Sequence, residues 1–211
     1  RMLEAYRDGK FVNIQNESTY MFDRSKNVKE CEYDRSKPVL IGMDFNVSPF
    51  IAILAQLSGD GSTLYVYDEI ILHHQGAGDL LTQRMCDTIK SRYPNSNYVV
   101  YPDASSMQRG TSSTHSDLDI IKTNGFQVKL RKTNPLVIDR VNSMNRMLEG
   151  NMFISPRCKH LVQDLEKVTN KQGTREIDKS NKLLTHATDA LGYMVAWEFP
   201  IVRPTLGAIQ R

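Results

Sequence analysis

Pro38 is followed by an unbroken apolar run, Val39 to Met43, and the run ends in a carboxylate, Asp44. A continuous run of this length has the pattern of a strand buried on both faces, so it belongs at the centre of a sheet. The chain then turns through Phe45 and Asn46 to Pro49. A carboxylate at the mouth of a core strand is costly unless something neutralises it, and a divalent cation is the commonest remedy. The alternative is that Asp44 caps the turn through its own backbone amides. Both roles are open at this point.

The segments that follow are short and closely connected. Phe50 to Leu57 is a second apolar run, Ser58 to Ser62 has turn chemistry, and Thr63 to Leu72 is a third strand. Such short connections favour an antiparallel meander. The period then changes: Leu80, Leu81, Met85 and Ile89 recur at helical spacing between Gly78 and Tyr93, with Pro94 beyond. Asn97 to Tyr101 is a fourth strand, ending at Pro102-Asp103. With a helix intervening, it should run parallel to a neighbour through a right-handed crossover.

Asp117 to Thr123 reads as a short helix and Phe126 to Leu130 as a fifth strand. Leu136 to Leu148 is an amphipathic helix, Met152 to Ile154 a short edge strand, and Lys159 to Val168 a further helix. Lys171 to Asn181 is polar and reads as an exposed loop or hairpin. The last helix, Thr185 to Phe199, is apolar on nearly every face and should lie against a sheet. Asp189 in its first turns is out of place there and needs a reason.

These elements divide the chain into a linker or peripheral segment (1–37, outside the core), one α/β domain (38–200) and a C-terminal tail (201–211). A chain of 211 residues suffices for one sizeable core. Its net charge of +3 permits nucleic-acid binding without arguing for it. The three cysteines, Cys31, Cys86 and Cys158, form no CxxC pair, which disfavours a disulfide framework or zinc site and points to a reducing compartment. No apolar run approaches the ~20 residues of a membrane span, and no signal peptide is visible, so a soluble intracellular domain is expected. The start at Arg1, without methionine, is that expected of a fragment of a longer chain.

The element order resembles the ribonuclease H-like α/β architecture: a mixed central sheet, its first three strands antiparallel, flanked by helices. There the first and fourth strands are parallel neighbours, about 4.8 Å apart, so Asp44 and Asp103 could place carboxylates around one cation. Asp189, reaching in from the last helix, would complete an all-oxygen set suited to Mg²⁺ or Mn²⁺. Two such ions could activate a water and stabilise the leaving oxygen of a phosphodiester.

IGMDFN at the first strand, YVVYPDAS at the fourth and THATDALGYMVAW in the last helix resemble the three acidic motifs of the large-terminase nuclease domain of tailed double-stranded DNA phages, nearest the P22-like branch. The resemblance spans roughly 37–200. It implies a metal-dependent, largely sequence-nonspecific endonuclease that cuts concatemeric viral DNA during packaging, with Asp44, Asp103 and Asp189 as catalytic metal ligands. It further implies double-stranded DNA, an ATPase domain, a terminase small subunit and a procapsid portal as partners, in the cytoplasm of the infected bacterial host and transiently at the portal. The chain carries no GxxxxGK[ST] phosphate-binding loop, so it is not by itself an ATPase. The competing readings are a resolvase or transposase of the same fold, and a non-catalytic DNA- or portal-binding module.

Glu69, in the third strand, could help a second metal, although with Asp68 beside it alternation sends one of the two elsewhere. His186 shares a helix face with Asp189 and could orient a ligand or contact phosphate, or simply cap the helix. His73, His74 and His115 read as surface or helix-end residues. Lys129, Arg131 and Lys132 follow the fifth strand, and Lys167, Lys171, Arg175, Lys179 and Lys182 line the late loop. Charge runs are usually solvated faces, but a polyanion held without base reading needs such groups. Lys182, Arg109 and Lys132 are the expected DNA contacts. Ser105, Ser106 and Arg109 lie in a stretch, Tyr101 to Gly110, expected to form a flexible lip.

Overall fold

In the computed structural model, which describes residues 18–45, 49–103, 116–181 and 183–201, the apolar run becomes the central strand β1 (Val39–Asp44), buried at every position. β2 (Phe50–Leu57) and β3 (Leu64–Leu72) follow as the antiparallel meander that the short turns require. Helix α2 (Leu81–Arg92) carries the chain over the sheet to β4 (Tyr98–Pro102), which pairs with β1 in parallel. The order across the sheet is β5-β4-β1-β2-β3-β6, where β5 is Gln127–Val128 and β6 is Met152–Ile154. The edge strands are both parallel to their neighbours. This is a mixed α/β sheet of the ribonuclease H-like kind.

Alternation along β1 divides the core in two. Val39, Ile41 and Met43 face α2 and α3 (Asp117–Thr123), packing with Met85, Cys86, Ile89 and Ile121. Leu40 faces the opposite layer, built from α4 (Val137–Leu148), α5 (Lys159–Lys167) and α6 (His186–Glu198). Gly42 shares the Leu40 face, and there the backbone of α6 comes down onto the strand. A Cβ on Gly42 would overlap the carbonyl oxygen of Ala190. Only glycine allows this approach, which explains why α6 is apolar almost all round and why it sits so close to the end of β1.

Part of the N-terminal segment joins the core, contrary to its reading as peripheral. Tyr20 is buried in the α4–α6 layer and Cys31 in the opposite one. Between them the short helix α1 (Arg24–Asn27) ends on buried Asn27, whose amide donates to the carbonyls of Leu148 and Met152. Those carbonyls flank the turn at Gly150, so a polar side chain here satisfies backbone groups that would otherwise be buried unpaired. Periodicity carries no trace of such a contact. Residues 171–181 form a hairpin-like excursion closed by an Asn170–Ile177 bridge.

Candidate metal centre

The strand-end acids are placed by register. The last parallel pair of β1 and β4 is Met43 with Pro102, so Asp44, the last residue of β1, comes next to Asp103, the residue that follows β4. Val99 and Tyr101 belong to the α6-facing layer, as does Leu40, and alternation puts Asp44 and Asp103 on that same face. Adjacent strands lie about 4.8 Å apart, within the span two carboxylates can share. Asp44 is buried, at 6% exposure.

Helix α6 closes the site from above. Its first residue, His186, brings Nδ1 to 2.9 Å from Asp44 Oδ2, the carboxylate accepting. One turn further, Asp189 is also buried, but its oxygens are engaged by cations: Arg140 Nη2 donates to Oδ1 at 2.5 Å and Lys179 Nζ to Oδ2 at 3.2 Å. Arg140 comes from α4 and is itself buried, its guanidinium 4.6 Å from the ring centre of Tyr193. It lies across Gly192, where a Cβ would stand 2.7 Å from Arg140 Cδ. Tyr193 is also in the field of Asp103, so the second and third turns of α6 connect the two acids.

The start of α6 is held by a residue from another helix. Thr185, which precedes it, has a left-handed backbone (φ 82°), a strained conformation for a β-branched residue, and its side chain makes no cap. Buried Asp164 of α5 supplies the cap instead, accepting from the backbone N–H of Ala187 at 3.0 Å and from that of Thr188. Burial pushes the Asp164 carboxyl up to about 6, against the pull of these amides. The same device starts α5: Glu69 of β3 accepts from His160 N at 2.8 Å and Leu161 N at 2.9 Å. Glu69 is thereby a helix cap rather than a neighbour of Asp44, and Asp68 points the other way, to Arg92 and the Tyr93 hydroxyl.

The donor set has a definite chemistry. Asp44 and Asp103 offer hard carboxylate oxygens and fit a divalent cation such as Mg²⁺ or Mn²⁺. Asp189 stands near them with its charge balanced by Arg140 and Lys179. Among the described residues no three carboxylate, imidazole or thiol side chains are gathered closely enough to share one ion. Of the expected DNA contacts, Lys132 is exposed on the segment after β5, whereas Arg109 and Lys182 lie outside the described residues, as do Ser105, Ser106 and His115. Arg140 and Asp164 were not singled out from the sequence. The available signal was a charge at a buried position of each helical stripe.

The sequence matches no protein-family model and no curated protein. Its fold does match solved structures. The nuclease domain of the P22 large terminase superposes with a TM-score of 0.66 at 12% identity, over 88% of this chain and 93% of that one. The large terminase of a thermophilic bacteriophage gives 0.64 at 16% identity, over 86% of this chain. This chain spans 45% of the length of that protein. The large-terminase nuclease of another thermophilic phage, G20c, a structure with bound magnesium, gives 0.61 at 10% identity, over 86% of this chain and 97% of that one. The fold is thus that of phage large-terminase nuclease domains.

Proposed function

We propose that this chain is the nuclease part of a phage large terminase, a Mg²⁺- or Mn²⁺-dependent endonuclease that cuts concatemeric double-stranded viral DNA during packaging. The observation that carries the reading is the placement of Asp44 and Asp103 side by side at the ends of two parallel strands, beneath a helix that brings His186 and Asp189 to the same face. Its support from likeness is a fold shared with a terminase nuclease that binds magnesium.

In this reading Asp44 and Asp103 hold the ions, and Asp189 would complete the oxygen set once an ion displaced the exposed Lys179 from its Oδ2. Bound divalent ions, two in number, would activate water and stabilise charge on the leaving oxygen of the phosphodiester. His186 fixes the orientation of Asp44 through its 2.9 Å contact. Arg140 holds Asp189 in place through their buried ion pair. The lysines and arginines around the site hold the DNA backbone without reading bases, which suits sequence-nonspecific cutting. The ATPase half, the small subunit and the portal are the proposed partners, in the cytoplasm of the infected host and transiently at the procapsid.

Substrate choice tests the reading. The chain should cut linear duplex DNA, in Mn²⁺ or Mg²⁺, about as readily as a four-way junction of the same sequence. Cleavage confined to the junction would mean a resolvase-type enzyme. DNA binding indifferent to EDTA, with no cutting of either substrate, would mean a binding module.

A further inference from the structure

The molecule carries a cleft that none of the acids uses. Tyr101 and Pro102 of β4, Lys129 and Arg131 from the segment after β5, and Tyr193 and Trp197 of α6 line it. Pro102 immediately precedes Asp103, and Tyr193 lies in the fields of both Asp103 and Asp189. The cleft therefore begins where the candidate metal centre ends.

Its two cations are held from behind. Lys129 Nζ lies 2.7 Å from Glu198 Oε1, which also accepts from the Tyr101 hydroxyl at 2.5 Å. Arg131 donates through Nη2 to the carbonyl of Ala196 at 2.7 Å, and its guanidinium stands 5.3 Å from the centre of the Trp197 ring. A guanidinium carries five N–H donors in a fixed fork, and Arg131 is exposed, so its outer edge faces solvent. The cleft pairs two oriented cations with one carboxylate and lines its wall with aromatic faces. That combination suits the backbone of a nucleic-acid strand: phosphate on the cations, sugar or base against the half-buried rings of Tyr193 and Trp197, Tyr101 being buried beneath them.

We propose that the mouth of this shallow cleft is a DNA subsite, where Lys129 and Arg131 take a backbone phosphate of the strand whose neighbouring phosphodiester lies at Asp44 and Asp103. The proposal rests on the nuclease reading for its substrate. Phosphate contacts made here would fix the register of the strand relative to the acids.

Trp197 is the only tryptophan in the chain, so its emission reports on this cleft alone. The test is a titration in EDTA, which stops cutting, with short single-stranded and duplex oligonucleotides. Anisotropy of a labelled oligonucleotide follows binding, and Trp197 emission with the unlabelled one follows the site. The expected result is a change in Trp197 emission that tracks the anisotropy isotherm. Lys129→Gln and Arg131→Gln, each checked for native circular dichroism, should weaken binding about fivefold and reduce the salt slope of log Kd by about one. Oligonucleotide binding with unchanged Trp197 emission would overturn the subsite. So would variants with wild-type affinity and salt slope, or no binding by the wild type at all. Metal-dependent cutting of plasmid by the wild type is scored separately, so the nuclease reading can survive the loss of the subsite.

Discussion

Gly42 of β1 and Ala190 of α6 are in backbone contact, with no room between them for a methyl group. This contact sets the height of α6 over the sheet, and with it the positions of His186 and Asp189 relative to the end of β1. Gly42→Ala would drive a Cβ into the Ala190 carbonyl, and overpacking of this kind typically costs about 1–3 kcal/mol, more where backbone must move. Gly59 is the control, since a Cβ there meets nothing within 4 Å. Urea denaturation should show a large loss for Gly42→Ala and almost none for Gly59→Ala. Equal stabilities would mean that α6 is free to lift.

Arg140 and Asp189 form a buried ion pair, and breaking one side leaves the other charge without compensation. Arg140→Met should cost about 3–5 kcal/mol, and adding Asp189→Asn should recover much of it. The Lys179 side chain, by contrast, is 55% exposed, and Lys179→Ala should change stability by less than about 1 kcal/mol. A double-mutant cycle on unfolding free energies measures the coupling directly. Additive effects would show that the pair does not act as a unit.

Asp164 predicts a pH dependence of stability. Its folded carboxyl is raised to about 6 from an ordinary 3.8, chiefly by burial. A group raised on folding contributes stability that is complete below its unfolded pKa and is lost as pH rises through the folded one. Between about pH 4 and 6 this amounts to roughly 2 kcal/mol of relative destabilisation, and to roughly 3 once pH is well above 6. Melting temperatures from pH 4 to 7 should therefore fall more steeply for the wild type than for Asp164→Asn, which cannot ionise. Parallel curves would remove Asp164 as the source.

The architecture was legible because its signals are local. The apolar runs, the short turns between the first three strands and the change to helical spacing after Gly78 lead directly to β1–β4 and α2. Asp189 also stood out, as an acid on an otherwise apolar helix. The same logic, applied to α4 and α5, would have found Arg140 among Val141, Met144, Met147 and Leu148, and Asp164 between Leu161 and Leu165. Each is a charge on the buried stripe of its helix, and each has a buried partner on α6. What could not be read was the partner itself. Residues 140 and 189 meet only through the tertiary packing of α4 on α6. The capping of α5 by Glu69 and the burial of Tyr20 and Asn27 are likewise long-range, with no periodic trace.

Plasmid cleavage by the purified protein tests the central claim most directly. Supercoiled DNA would be incubated with the wild type and with Asp44→Asn and Asp103→Asn, across a titration of Mn²⁺ and Mg²⁺ and with an EDTA control. The account predicts metal-dependent linearisation and smearing by the wild type, absent in EDTA and abolished in both variants, while their circular dichroism stays native. Cutting by folded Asp44→Asn or Asp103→Asn at the wild-type rate would contradict the assignment of the strand-end acids as the metal centre.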